Sequence, residues 1–513
     1  MKYLREIAQI VTRYREKNPD LIDNDPPEDD PDQISKLYLA LRDGKITTDL
    51  DAANYIYGAP NIDTKYTTLK NRLKKKMINL LFFLDIREKD FSEQLVARYH
   101  NSKSLFWANT LTTFGARASA TKLFESVLQQ ALHYDFTLNA LQAQIFLRNF
   151  SRFTGSEKQY DKQDKLIKKL LVTFDYELRA QELYERLTIR FSRSAAEQPE
   201  LQDIAVKYLE EIEKLRSECD SFTFMLYYFR VKNTVLQVLQ KYFEAAETCN
   251  EAIDYFDKNS HMSFRVLYGE FSSYALSCYL YLREYEKGNE MAEKCKTLFP
   301  EGGTNWFIFI ENFFLLMMQT GHFQEAENLY VATVNNPRFQ FQPDQVKEKW
   351  QLFELYLNFA LRQGNIPSIR EEHQRIDPNR FLKTIPSFKK DKRGYNVSIL
   401  IVHILMLIEQ NDFGGIIGRM DALRTYRNRY LQVGTKRRSA LFFKMLQIME
   451  ANSFDPKLTA LKSKRYLQQL TTQTSDVVEA QEALQVLPFE WLWETIMKML
   501  EEKQRQGKIQ KMT

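Results

Sequence analysis

Apolar residues recur every three or four positions over most of this chain, which is the period of an amphipathic α-helix. Between residues 64 and 84 they form a single stripe, made of Tyr66, Leu69, Leu73, Met77, Leu80 and Leu84. The same period predicts a helix over residues 34–42. Another begins near Thr48 and Asp51, which have capping-box spacing, and ends at Gly58. Residues 34–95 are therefore predicted to form a small three-helix module.

Longer helices in antiparallel pairs are predicted from residue 96 onwards. Three of them begin with an aromatic residue followed three positions later by a small one: Tyr242 and Ala245, Tyr285 and Gly288, Phe323 and Ala326. A small residue at such a position lets two helices cross closely. The small residues are 43 and 38 positions apart, which indicates an internal repeat of irregular length.

These repeats resemble the tetratricopeptide-repeat family. The small residue, the packing positions four and seven residues beyond it, and a terminal proline such as Pro300 are that family's signature positions. The family's period is about 34 residues, so the helices here are lengthened. The resemblance implies an all-α, right-handed superhelix of antiparallel helical hairpins, a TPR-like α-solenoid, preceded by the small N-terminal module.

Changes in pattern divide the chain into four predicted regions. Residues 1–33 are a helix and an acidic, proline-containing linker, followed by the basic module at 34–95. Residues 96–375 carry the TPR-like repeats, and residues 376–513 form a basic helical region that starts with a loop rich in Pro, Lys and Arg. The last helix, over residues 488–503, is expected to cap the stack, because a terminal repeat needs one polar face; the alternative is an exposed helix that binds a partner.

Composition agrees with long helices, since the 513 residues include only 16 Gly and 14 Pro. The formal charge of +5 is small for this length and does not by itself imply a nucleic-acid partner. Four cysteines without metal-binding spacing indicate buried free thiols in a reducing compartment. No signal peptide or span of 18 uncharged apolar residues is present, so we expect a cytoplasmic protein.

Motifs for chemistry are missing. The chain contains no HExxH, P-loop, Rossmann glycine fingerprint or GxSxG. Its six histidines are scattered, and His403 lies in an apolar helix, where a core role is expected. The sequence therefore predicts no enzyme, with no catalytic residues, cofactor or metal site.

Binding of a peptide or protein partner is the function that the repeats favour, because stacked hairpins expose a long surface formed by their first helices. The first helices are predicted near residues 221–239, 264–282 and 306–320. Candidate partner contacts on them are Tyr227, Arg230, Asn233, Arg265, Glu270, Asn305 and Asn312. The protein would then act as an intracellular scaffold.

Two basic regions leave open the alternative that the partner is a nucleic acid or another acidic molecule. The first is the helix after Thr64, where residues 34–85 weakly resemble a helix-turn-helix module; its candidate contacts are Lys65, Lys70, Arg72, Lys74, Lys75 and Lys76. The second spans residues 383–438, with candidate contacts at Arg424, Arg427, Lys436 and Arg437. The alternative function is a transcriptional regulator with an N-terminal DNA-binding module and a TPR-like sensor domain.

Overall fold

A computed structural model provides the fold. It describes residues 1–14, 31–58, 60–84, 86, 91–154, 156–191, 198–262, 265–371, 395–430, 438–472 and 485–508. These residues form 21 α-helices and two short 3₁₀ helices, with no β-strand among them, which confirms the all-α prediction. Most of the acidic linker predicted within residues 1–33 and the loop predicted at 376–394 lie outside the described residues. The chain divides into two compact units, residues 1–171 and 172–513.

The first unit contains seven complete helices: α1 (Lys2–Tyr14), α2 (Pro31–Arg42), α3 (Asp49–Tyr57), α4 (Thr64–Leu80), α5 (Glu93–Thr113), α6 (Arg117–His133) and α7 (Thr137–Thr154). The long helix α8 (Glu157–Phe191) passes from the first unit into the second. Helices α1 to α4 share one apolar core, and α5 to α7 pack on one another in sequence.

Local signals placed α3 and α4 correctly. Thr48 and Asp51 form the capping box, and Gly58 ends α3 in the left-handed conformation, with φ of 69°. Ala52 and Ala53 are fully buried between the helices. The apolar stripe of α4 faces the core from Tyr66 to Leu80, although the helix ends at Leu80 and a 3₁₀ turn follows. Helix α1 also packs on α4, so this core has four helices instead of the predicted three.

The second unit continues with thirteen helices: α9 (Gln198–Arg216), α10 (Phe222–Val238), α11 (Tyr242–Lys258), α12 (Arg265–Leu282), α13 (Tyr285–Leu298), α14 (Thr304–Thr320), α15 (Phe323–Val334), α16 (Asp344–Gln363), α17 (Tyr395–Gln410), α18 (Phe413–Tyr430), α19 (Arg438–Ala451), α20 (Pro456–Thr472) and α21 (Phe489–Arg505). Sequential helices pack on each other, and α12 packs on both α13 and α14. One apolar core extends from Ala180 to Leu500.

The same turn ends the first helix of each successive hairpin. A residue with positive φ follows the helix, and the next backbone N–H donates to a carbonyl in the last helical turn, as Glu284 does to Tyr279 at 3.0 Å. This is the hydrogen bond of a Schellman cap. The positive-φ residues are Gln240, Arg283, Gly321, Asn365, Asn411 and Ser453. They are 43, 38, 44, 46 and 42 positions apart, so the irregular repeat continues to residue 453.

Close helix crossings explain the small residues that open the second helices. Ala245 and Ala326 are fully buried. At Gly288 an added Cβ would overlap the side chain of Leu316 in the next hairpin. Burial at the two alanines and the overlap at Gly288 agree with the sequence interpretation that these positions favour small residues.

The last helix, α21, contacts several hairpin turns. Trp491 packs its ring 5.6 Å from that of Phe323 and 6.2 Å from that of Phe359. Further along the helix, the Lys503 ammonium donates to the Asn411 side-chain oxygen at 2.6 Å. A helix that only capped the stack would touch just the hairpin before it, whereas α21 ties together turns that are far apart in sequence.

A candidate interaction surface on the first helices of the hairpins

Three of the predicted contact residues meet on the first helices of two neighbouring hairpins. Arg230 of α10 donates two parallel hydrogen bonds to Glu270 of α12, from Nε at 2.8 Å and from Nη2 at 2.7 Å. Both side chains are 18% exposed. A bidentate arginine–carboxylate pair is the most specific geometry available to an ion pair, so it fixes the spacing of the two helices.

Tyrosine rings surround this pair. The rings of Tyr184 on α8 and Tyr227 on α10 lie 5.6 Å and 5.4 Å from the guanidinium carbon of Arg230. The hydroxyl of Tyr274 donates to Glu270 at 3.1 Å. We call Tyr184, Tyr227, Arg230, Glu270 and Tyr274 the tyrosine–arginine cluster. It joins three helices through aromatic, cation–π and ionic contacts.

Electrostatics keep the cluster in one protonation state. Burial by itself would lower the pKa of Arg230, but the bonds to Glu270 outweigh it and raise that pKa above its ordinary value. Burial raises the pKa of Tyr227 and, with Glu270 beside it, that of Tyr274. The phenols of Tyr227 and Tyr274 therefore stay neutral near pH 7, and they offer hydrogen-bonding hydroxyls and ring faces.

The other predicted contacts on these helices do not join the cluster. The prediction for Asn233 was wrong, because it is 1% exposed and its side-chain oxygen accepts from Cys249 Sγ at 3.3 Å and Gln237 at 3.2 Å. Arg265 is exposed and donates to the carbonyl of Thr297 at 3.3 Å. Asn305 is exposed at the start of α14, and Asn312 is half-buried further along it.

Sequence reasoning missed Tyr184 and Tyr274. Tyr274 lies four residues after Glu270, a spacing that places both on one helix face and was available in the sequence. Tyr184 lies 46 positions before Arg230 on another helix, and no local pattern connects the two.

A second ionic cluster is enclosed near the turn after α16. Arg370 donates to Glu327 at 3.0 Å, to Glu354 at 2.6 Å and to Asn358 at 2.6 Å, and all four side chains are buried. Tyr330 donates its hydroxyl to Glu354 at 2.7 Å. We call these the Arg370 cluster. The donors and acceptors of the Arg370 cluster are hydrogen-bonded to one another, so the cluster holds the segment after α16 onto α15 and α16.

Part of the positive charge on α4 is balanced by neighbouring side chains of the same unit. Lys70 pairs with Asp49 at 2.6 Å, and the Lys74 ammonium lies 5.2 Å from the ring centre of Tyr3. Lys65, Arg72 and Lys75 are exposed, and Lys76 is half-buried. Lys74 is exposed as well, so the exposed cations of this helix are Lys65, Arg72, Lys74 and Lys75, and Lys70 has a structural role.

The second basic region is described only in part. Arg424 pairs with Asp421 at 2.6 Å and with Glu450 at 2.5 Å, so its charge is balanced within the protein. The side chains of Arg427, Lys436 and Arg437 lie outside the described residues. The predicted contacts at those three positions stay predictions.

The histidine, cysteine and carboxylate groups of the described residues are the candidates for a metal site. Within the described ranges, no three His, Cys, Asp or Glu side chains are grouped to hold a metal ion. All four cysteines are free and buried, and burial raises the pKa of Cys278 and Cys295 to about 12. Burial, and to a lesser degree Arg419, lowers the pKa of His403 to about 4, as expected for a core histidine. Every described helix is too short or too polar to cross a bilayer.

No family model, curated protein or solved structure matches this chain.

Proposed function

We propose that this protein is a protein-interaction scaffold built on a TPR-like solenoid, and that it binds a peptide segment of its partner on the first helices of its hairpins. The tyrosine–arginine cluster is the observation that carries this proposal. Tyr and Arg are the residues that most often dominate binding energy at protein interfaces. Here three tyrosines and one arginine converge on a rigid, half-buried platform.

The platform suits a peptide with polar backbone and acidic groups. A partner carboxylate can approach the guanidinium of Arg230, which lies beside two aromatic faces. Because the bidentate bond to Glu270 already orients that guanidinium, little conformational entropy is lost on binding. The proposal assigns no catalytic step to the chain.

Site-specific photo-crosslinking tests the proposal. Tyr227 is replaced by a benzophenone amino acid in the full chain, and the crosslinked segment is identified by mass spectrometry after irradiation in native lysate. The matched control carries the same group at Phe243, a 54% exposed aromatic on the second helix α11. A defined peptide segment crosslinked from position 227 and not from position 243 supports the proposal. Equal labelling from both positions, or labelling from neither, contradicts it.

A variant set then tests the residues. Tyr227→Ala and the double variant Arg230→Met/Glu270→Gln should each weaken binding of the identified segment about tenfold or more, which is the usual loss at an interface hot spot. The double variant removes both charges together, so it leaves no unpaired charge in the platform. Phe243→Ala should bind as the wild type does.

A second candidate is a transcriptional regulator whose N-terminal module binds duplex DNA. The observation that favours it is the outward cationic face of α4, with Lys65, Arg72 and Lys75 exposed on one helix. The triple change of these residues to Glu should abolish salt-dependent binding of a 25-base-pair duplex by the full chain. Charge reversal at Lys70 is not a clean test, since it would break the pair with Asp49. Absence of duplex binding by the wild type at low salt would exclude this candidate.

A further inference from the structure

The helices α5 to α7 of the first unit carry aromatic rings on their solvent side. Trp107 on α5 is 45% exposed, and Phe114, the C-cap residue of that helix, is 82% exposed. They share a helix face with Lys103 and Thr110, since these four residues are spaced by four, three and four positions. The buried residues Leu105 and Ala108 lie on the opposite face, so the rings are not part of the core.

Cations lie against these rings. The ammonium of Lys103 is 5.2 Å from the ring centre of Trp107. At the neighbouring turn, the guanidinium carbons of Arg117 on α6 and Arg152 on α7 lie 4.8 Å and 4.7 Å from the ring of Phe153, which is 55% exposed. Phe153 therefore brings two guanidinium groups from different helices to one point on the surface.

These charges are not balanced by acidic side chains. Residues 93–154, which form α5 to α7, contain six Lys and Arg and three Asp and Glu, and Arg148 pairs with Asp164. In the part of the chain that the structure describes, no carboxylate lies within salt-bridge distance of Lys103, Arg117 or Arg152. The face thus combines exposed rings with an excess of positive charge, and a polyanion complements it.

The spacing fits a flexible chain of stacked bases. Trp107 and Phe114 are two helical turns apart, or about 10 Å along the axis. Proteins that bind single-stranded nucleic acid stack bases on aromatic side chains and hold the phosphates with cations. A duplex hides its base faces, so exposed rings would add nothing to its binding. A protein partner would use the same rings but would have no need for the surplus of positive charge.

We propose that the α5–α7 face binds single-stranded nucleic acid. Bases stack on Trp107 and Phe114, and Lys103, Arg117 and Arg152 contact the backbone phosphates. This site is independent of the peptide platform in the second unit and of the duplex-binding candidate on α4.

Fluorescence anisotropy of the full chain with labelled 20-nucleotide dT and rU oligomers tests the proposal. The wild type should bind at 50 mM salt, bind much more weakly at 200 mM, and show quenching of tryptophan emission, because the only tryptophan that is largely exposed among the described residues is Trp107. An abasic oligomer of the same length should bind at least tenfold more weakly, since it has phosphates without bases to stack.

The variants separate stacking from charge. Trp107→Ala and Phe114→Ala should each weaken binding roughly tenfold and leave the salt dependence unchanged. Arg117→Glu/Arg152→Glu should make the plot of log affinity against log salt less steep, by the amount that corresponds to the loss of about two phosphate contacts. The controls are Phe341→Ala, a 78% exposed ring in the second unit, and Lys457→Glu/Lys464→Glu, an exposed pair on α20. Both controls should bind as the wild type does.

Three outcomes would overturn the proposal. One is failure of the wild type to bind either oligomer at 50 mM salt. Another is binding that Trp107→Ala and Phe114→Ala leave unchanged, which would assign it to charge elsewhere. The third is concentration-dependent self-association in sedimentation that is lost in Trp107→Ala while oligomer binding is absent, which would make this face a contact between copies of the chain. Loss of duplex binding through Lys65, Arg72 and Lys75 would leave the proposal intact.

Discussion

Aromatic rings and cations meet in both units of this protein, but their surroundings differ. In the second unit, Arg230 lies between tyrosine rings and donates two hydrogen bonds to Glu270. In the first unit, Arg117 and Arg152 lie against Phe153, and no carboxylate among the described residues forms a salt bridge with them. The difference shows two uses of the same residue types. In one, an arginine–glutamate pair holds helices together and orients the guanidinium that we propose a partner carboxylate approaches. In the other, the cations face outward and have no ion-pair partner among the described residues.

Burial decides between these uses. A charged group taken out of water is costly unless a partner replaces the lost hydration. The half-buried Arg230 and the fully enclosed Arg370 both have carboxylate partners. The exposed guanidinium groups of Arg117 and Arg152 keep their hydration, so the fold can leave them without an ion-pair partner among the described residues.

Removing the cation of the Arg370 cluster should have the largest effect. Arg370→Met leaves Glu327 and Glu354 buried without their shared partner, and we expect a loss of about 3–5 kcal/mol in the free energy of unfolding. Urea denaturation, with hydrogen exchange over α15 and α16, measures it. The variant Arg370→Met/Glu327→Gln/Glu354→Gln should recover most of the loss. A loss below 1 kcal/mol in the single variant would show that the Arg370 cluster does not hold the segment after α16 onto α15 and α16.

Removing one partner of a half-buried pair should cost less, and the same change on the open face should cost almost nothing. Glu270→Ala leaves Arg230 unpaired and should lower the free energy of unfolding by about 1–3 kcal/mol. Arg117→Ala should change it by no more than about 0.5 kcal/mol, the usual range for surface substitutions. Thermal and urea unfolding of both variants give the comparison directly. Equal losses would remove the distinction between the two regions.

Acid should weaken the second unit through His403. Its folded-state pKa of about 4 lies below the unfolded value of about 6.5, so the unfolded chain binds the proton more readily. Stability is therefore full above about pH 6.5 and falls as the pH drops towards 4, by roughly 1–2 kcal/mol between pH 7 and 5. His403→Gln should flatten that part of the profile. A profile unchanged by the substitution would assign the acid sensitivity to other groups.

Truncating the exposed ring of α5 should have the smallest effect on the fold. Trp107→Ala should alter the free energy of unfolding by less than about 0.5 kcal/mol, because the ring faces solvent on the side opposite the core. Circular dichroism and urea unfolding measure this. A loss above 2 kcal/mol would show that the ring supports the fold, and it would remove the basis for treating this face as a binding surface.

Much of the local structure could be predicted from the sequence. The spacing of Thr48 and Asp51 predicted the capping box that begins α3. The small residues Ala245, Gly288 and Ala326 predicted where two helices pack closely. These signals act over one or two turns, where a residue's own shape and hydrogen bonds decide the backbone. The prediction for Asn233 failed because a polar residue on a first helix can face either solvent or the next helix, and nothing local says which.

The candidate sites were predictable only in part. Tyr227, Arg230 and Glu270 were named, but their contact joins residues forty positions apart. The Arg370 cluster joins residues 43 positions apart and carried no sequence signal. The exposed face of α5 to α7 was also missed, because aromatic residues in a helical protein are expected to fill the core. Only the solvent exposure of Trp107 and Phe114 distinguishes them from core rings.

The sequence by itself determined that the chain is helical, where most helices begin and end, and that its hairpins repeat with irregular length. These properties follow from hydrophobic period, caps and small residues, all of which act locally. The tertiary structure alone decided which charges are paired, which rings stay exposed, and that α21 lies along the hairpin turns. Those depend on which helices become neighbours, and that is settled by packing between residues far apart in the chain.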